Sequence, residues 1–98
     1  MAADPVKVDS KHYKVEFEND KVRVLRVSYA PGEKSVMHGH PDSVLVLLDD
    51  AAGTFTNPDG STADFDMKAR EVMWAPGGDH LPASRHDKPF SPILVELK

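Results

Sequence analysis

An all-β fold built from short antiparallel strands, a sandwich or a barrel, is what the 98-residue sequence predicts. Three observations carry that expectation. Apolar and polar residues alternate strictly through Tyr13, Val15 and Phe17, and again through Ala63, Phe65 and Met67, the period of a half-buried strand. Turn signals recur along the chain, among them Asn19-Asp20, Pro31-Gly32, Asp49 to Gly53, Pro58-Asp59-Gly60 and Pro76-Gly77-Gly78, most of them at intervals of about 8–12 residues or a little more. No stretch carries the apolar spacing of an amphipathic helix.

The elements follow in order. Residues 1–12 are polar apart from Val6 and Val8 and read as an N-terminal arm or short edge strand, with His12 solvated. Residues 13–98 form the single β-barrel domain. Tyr13 opens the first strand, and Asn19-Asp20 turns it into a second over residues 21–30. There the apolar phase slips: Val22 and Val24 share one face, while Leu25, Val27 and Tyr29 share the other. Either both faces are covered or a bulge shifts the phase. Val44 to Leu48 is a continuous apolar run suited to a core strand. Asp49 to Gly53 is read as a turn. Strands over 54–57 and 62–67 then flank the Pro58-Asp59-Gly60 turn, in which proline presets φ and Gly60 takes the positive φ. Val72 to Ala75 forms a strand stopped by Pro76, a polar loop runs on to Pro89, and Ile93 to Leu97 closes the chain.

Composition bounds the function. A chain this short buries somewhat over 60% of its unfolded surface, so stabilisation by a metal or by self-association is expected. No cysteine is present, which removes disulfides, thiolate metal sites and a cysteine nucleophile and leaves imidazole and oxygen as ligands. Twelve basic and sixteen acidic residues give a formal charge of −4, with no basic footprint for nucleic acid. The N-terminus lacks an apolar h-region and the longest apolar run is too short for a bilayer. A cytoplasmic protein that binds neither nucleic acid nor membrane is the expectation.

His38-Gly39-His40 is the stretch around which function is organised. On a strand, both imidazoles face the same way, with their Cα atoms roughly 6.5 Å apart, close enough for one metal. His80, after the Pro-Gly-Gly turn and forty residues beyond His40, is the expected third ligand, because an antiparallel barrel can bring such a position opposite the first two. Three imidazoles with open positions are the arrangement of a catalytic metal site rather than a structural one.

These residues resemble a known family. Gly32, five intervening residues and His38-Gly39-His40 look like the first motif of the cupins, and Met73 to His80 looks like the second. The run Glu33 to Asp42 and the ending Val95-Glu96-Leu97-Lys98 are similar to small bacterial cupins named for beta-alanine degradation. The resemblance implies a cupin-type antiparallel β-barrel or jelly roll of six to eight strands, commonly a homodimer, binding iron, manganese, nickel or zinc. Three positions depart from the pattern. Val44 and Leu45 stand where the first motif supplies a glutamate, Arg70 where the second opens with glycine, and Ala83 and Ser84 where an asparagine closes it. The set therefore resembles the three-histidine iron site of the thiol dioxygenase branch, without the Cys–Tyr crosslink.

Asp42 has two readings. On an extended strand it shares the face of His38 and His40 and serves as a fourth ligand. Alternatively Pro41-Asp42-Ser43 is a turn, with the carboxylate bonding backbone, and this is the preferred reading. Val36, Trp74, Arg26 and Leu81 are the candidate pocket residues. Arg26, in phase with Val22 and Val24, would be a cation suited to a carboxylate ligand. His86, among Arg85, Asp87 and Lys88, is read as exposed. The expected function is a non-haem metal-dependent, dioxygenase-like enzyme acting on a small carboxylate, amino acid or thiol. A metal-loaded small-molecule-binding or sensing module without turnover is the alternative, and a closed structural zinc site, which requires a fourth protein ligand, is the third.

Overall fold

A computed structural model describes residues 3–98. Nine strands make two antiparallel sheets that enclose one core. Strands β1 (Tyr13–Glu18), β2 (Val22–Val27), β9 (Ile93–Leu97), β4 (Ser43–Val46) and β7 (Val72–Ala75) lie in that order in a five-stranded sheet. The second sheet has four strands, in the order β3 (His38–His40), β8 (Gly78–Ser84), β5 (Ala51–Thr56) and β6 (Thr62–Met67). Leu25 and Leu94 from the first sheet meet Ala51 and Met67 from the second, with Tyr13, Tyr29, Leu47 and Phe90 completing the buried cluster. No helix among the described residues is long and apolar enough to cross a membrane.

The strands β6, β7 and β9 have the bounds that alternation and turn residues indicate. Gly60 takes a φ of +89° at its hairpin, as a turn glycine should. Other elements differ. Residues 49–53 are not one turn, because β5 begins at Ala51. It includes Gly53, where a Cβ would lie 2.0 Å from the Ala83 carbonyl oxygen. Only glycine admits that approach between β5 and β8. The expected polar loop after Pro82 is likewise strand as far as Ser84.

The N-terminal segment is neither an edge strand nor an arm in solvent. Asp4 caps a single helical turn, α1 (Pro5–Val8), by accepting the Val6 N–H at 3.0 Å, with Pro5 at the first helical position. The chain then turns back onto the barrel and buries His12. That ring stacks on Tyr29 with centroids 4.3 Å apart, and its Nδ1 lies 2.7 Å from Asp9 Oδ2. His12 is therefore a buried, hydrogen-bonded residue and not a solvated one.

The phase slip in β2 resolves as a sheet with apolar residues on both faces. The irregularity in register falls in β1, between Val15 and Phe17, and β2 itself runs regularly. Leu25 and Val27 point into the core, whereas Val22, Val24 and Arg26 point outward. Register continues that outer row across the sheet through Phe17, Val24, Val95, Val44 and Trp74.

Candidate metal centre

The strand β3 pairs with β8 so that His38 sits directly opposite His80 and His40 opposite Gly78. Alternation keeps His38 and His40 on one face, and the antiparallel register delivers His80 to the same place. The three rings lie 4.8, 4.9 and 5.2 Å apart between centroids, each pair nearly perpendicular. One nitrogen from each ring can be chosen so that all three lie within 4.8 Å of one another. One ion at about 2.1 Å from each nitrogen in tetrahedral geometry would hold them ~3.4 Å apart, so a modest inward lean of the rings suffices.

Hydrogen bonds fix which nitrogen is offered. His38 Nδ1 donates to the Val36 carbonyl oxygen at 2.8 Å. His40 Nδ1 lies 2.7 Å from Glu96 Oε2. A carbonyl and a carboxylate can only accept, so both Nδ1 atoms carry the proton and both Nε2 atoms keep a free lone pair. His38 Nε2 and His80 Nε2 are buried and have no hydrogen-bond partner among the described residues. Buried polar atoms are normally satisfied, and two convergent unpartnered imidazole nitrogens fit a metal. Burial, followed by the nearby His40, pushes His38 down to about 4. Burial, followed by His40 and His38, pushes His80 down to about 3. Both are neutral at pH 7, the protonation state a metal requires.

Glu96 is the main residue that sequence reasoning missed. It is 2% exposed and lies in β9 directly opposite Ser43 of β4. One oxygen holds His40 and the other accepts from Arg23 Nε at 2.7 Å, while Arg23 also grips Asp4 at 2.9 and 3.0 Å. Burial alone would raise the Glu96 pKa, but the bonds from His40 and Arg23 outweigh it and hold the group below the usual carboxylate range. A carboxylate behind a ligating histidine orients the ring and raises its basicity. Its signal was available: Glu96 is in phase with the inward Leu94. On the opposite side Phe55 stacks on His80 at 4.9 Å and 8°, and Tyr13 stands edge-on to His38 at 4.7 Å.

Asp42 is not among the clustered ligands. Its Oδ1 accepts the Gly77 N–H at 2.7 Å, so the carboxylate ties two loops together rather than bonding the backbone of its own turn. None of the four expected pocket residues lines the cavity beside the histidines. Val36 and Trp74 are 47% and 55% exposed. Arg26 points outward and pairs with Glu16 at 2.5 Å. Leu81 alternates away from its neighbours His80 and Pro82, which do line the cavity. The error for Arg26 and Trp74 is one of phase: the outer face of the first sheet is as apolar as the inner one. The cavity wall comes instead from Tyr13, Tyr29, Leu45, Phe55, Phe65 and Leu94.

No family model matches the chain, and no curated protein matches it. Solved structures do resemble it. A cupin domain from Bordetella pertussis superposes with a TM-score of 0.80 at 23% identity, covering 88% of this chain and 91% of that one. A double-stranded β-helix protein from Klebsiella pneumoniae gives 0.68 at 20% identity, over 87% of this chain and 74% of the other. The polyketide cyclase RemF from Streptomyces resistomycificus gives 0.64 at 16% identity, over 87% and 63%. None of these three is named for beta-alanine degradation. Together with the two antiparallel sheets and the placing of His38, His40 and His80, they show that this chain has the jelly-roll fold of the cupins.

Proposed function

We propose that His38, His40 and His80 hold one divalent transition metal (iron, manganese, nickel or zinc) through their Nε2 atoms. We further propose that the chain works as a non-haem, dioxygenase-like enzyme on a small molecule. The observation that carries this is the pair of buried, unpartnered Nε2 atoms converging with a third imidazole. Among the described residues three potential ligands gather there, which favours an open site over a closed structural one. A bound metal would supply a Lewis acid and, if redox-active, an electron source for dioxygen.

The chain's own residues do the positioning. Val36 and Glu96 fix the tautomers of His38 and His40. Tyr13, Phe55 and Phe65 give the open side an aromatic wall. The tyrosines are acids held in their neutral form: burial raises Tyr13, and burial pushes Tyr29 up to about 12. They donate hydrogen bonds and do not serve as bases at neutral pH. Asp79 is the one carboxylate in the cavity lining, so oxygen chemistry suits the site better than a proton-transfer reaction needing a dedicated base. The same scarcity favours the second reading, a metal-loaded binding module without turnover. The polyketide cyclase among the structural neighbours supports a catalytic use of the fold.

Elemental analysis of wild type against His80→Ala tests the metal. A stoichiometric transition metal in the wild type, lost in the variant, is expected, and its absence from both overturns the proposal. Oxygen uptake by iron-loaded protein, with small carboxylates, amino acids, thiols and neutral aromatics, separates the enzyme from the module. We also propose that the chain is a homodimer joined through the apolar outer face of the five-stranded sheet.

A further inference from the structure

The cavity beside the histidines has a volume of about 370 Å³, the size of a small organic ligand's site. Its chemistry is one-sided. Among its lining residues there is no lysine and no arginine, and Asp79 is the only acidic one. Phe55 and Phe65 stack at 4.6 Å and 27° along one side, with Phe55 continuing onto the His80 ring at 4.9 Å. The hydroxyls of Tyr13 and Tyr29 bond each other at 2.8 Å.

Neither charged class of ligand is matched here. With no metal bound, an anion entering the cavity would find no lysine or arginine among the described lining residues. The nearest candidate, Arg23, is saturated by Asp4 and Glu96, and Arg26 faces solvent with Glu16. A zwitterionic amino acid would bring the same unanswered carboxylate into the metal-free cavity, and a desolvated charge without a partner is costly. A flat, uncharged molecule stacks on the Phe55 and Phe65 rings at no such cost.

We infer that the cavity takes an uncharged, ring-bearing molecule that reaches the histidine cluster at His40 and His80, the two that line it, with oxygen donors, such as a phenol carrying an adjacent carbonyl. Amino acids, carboxylates and thiols are not its natural occupants. The identity of the ligand's donor end rests on the metal reading above; the preference for an uncharged body rests on the wall alone.

Two probes of like shape separate these. 2-Acetylphenol and salicylate share a ring and an oxygen pair, but only salicylate is an anion at pH 7. Each is titrated calorimetrically into metal-free and Co²⁺-loaded protein, with cysteine and β-alanine as zwitterions. 2-Acetylphenol should bind the metal-free protein at least tenfold more tightly than salicylate, and the loaded protein more tightly again. Ala63→Arg places a cation on an exposed residue of the cavity lining and should close most of that gap by strengthening salicylate. Salicylate or a zwitterion binding the metal-free wild type as tightly as 2-acetylphenol overturns the inference, as does an Ala63→Arg variant with unchanged selectivity. Failure of Co²⁺ to load would instead sink the metal reading, and the metal-free titrations would still decide the cavity.

Discussion

Glu96 shows how much of the candidate metal site lies one bond behind the three histidines. Its two oxygens are spent on His40 and Arg23 at 2.7 Å each, so Glu96→Gln keeps the shape but removes the charge and one acceptor. Metal affinity should fall ~10–100-fold, the usual cost of losing such a partner, and chelator competition with Zn²⁺ measures it. The metal-free protein should also lose about 2 kcal/mol, the worth of a charge-assisted bond. An unchanged zinc affinity would make Glu96 a purely structural residue. Arg70 is the second residue of interest. It stands where the cupin pattern has glycine, and its φ is +75°, a region that costs a side chain about 1–2 kcal/mol. Arg70→Gly relieves that strain but gives back about 0.5–1 kcal/mol of unfolded-chain entropy. The net is a gain below about 1 kcal/mol, read as a rise of a few degrees in Tm. Arg70→Val should lower Tm. The gathering of His38, His40 and His80 was legible from spacing, and the misfit at Arg70 from the motif. Arg23 was hidden because β2 is apolar on both faces, so phase could not say which arginine points inward, whereas Glu96 carried a signal in its phase with Leu94 on β9.

The paired strands β3 and β8 carry a pH dependence of their own. His38 and His80 are held neutral, at about 4 and about 3 in the folded chain, by burial and by their neighbouring imidazoles. Unfolded, each would titrate near 6.5. Above that pH neither state binds the proton and the pair contributes nothing to pH dependence. Between about 6.5 and 4 the unfolded chain takes up protons that the folded chain refuses, so stability falls as pH falls. The loss for His38 is on the order of 3 kcal/mol by the time pH reaches 4. Glu96, whose folded pKa is depressed, adds its own loss only at lower pH. Thermal melts of metal-free protein between pH 6.5 and 5 should therefore show a falling Tm, flattened in His38→Ala and His80→Ala. A flat wild-type profile would mean that water reaches both rings. At this scale most strands were legible, since alternation and turn residues act locally. The helix α1 was not, because one turn is too short for any period; only the Asp4-Pro5 pair, a cap followed by proline, marked it.

The whole molecule has one face that a single chain leaves uncovered. The continuous apolar run from Val44 to Leu48 predicts a strand covered on both sides. The structure covers one: Leu45 faces the cavity, while Val44 and Val46 face outward. Beside them on the outer face lie Val24, Ile93 and Val95, with Phe17 and Trp74 at the two edges, each 55% exposed. Five strands ~4.8 Å apart and five residues long span roughly 24 by 17 Å. That is about 400 Å² in projection, the size of the largest patch a monomer exposes, which is often functional, and about half the ~800 Å² per partner of a standard interface. A sheet face of this breadth is matched in shape and chemistry by another like it, which is the self-complementarity of a twofold pair. Sedimentation equilibrium at about 10 µM should return twice the chain mass. Phe17→Glu/Trp74→Glu should return the monomer, because each substitution is counted twice across the axis while both positions are exposed enough to spare the fold. A wild type that stays monomeric, or a double variant that still pairs, would overturn the assignment. A monomer that instead sediments with phosphatidylcholine vesicles would give the face to a lipid surface.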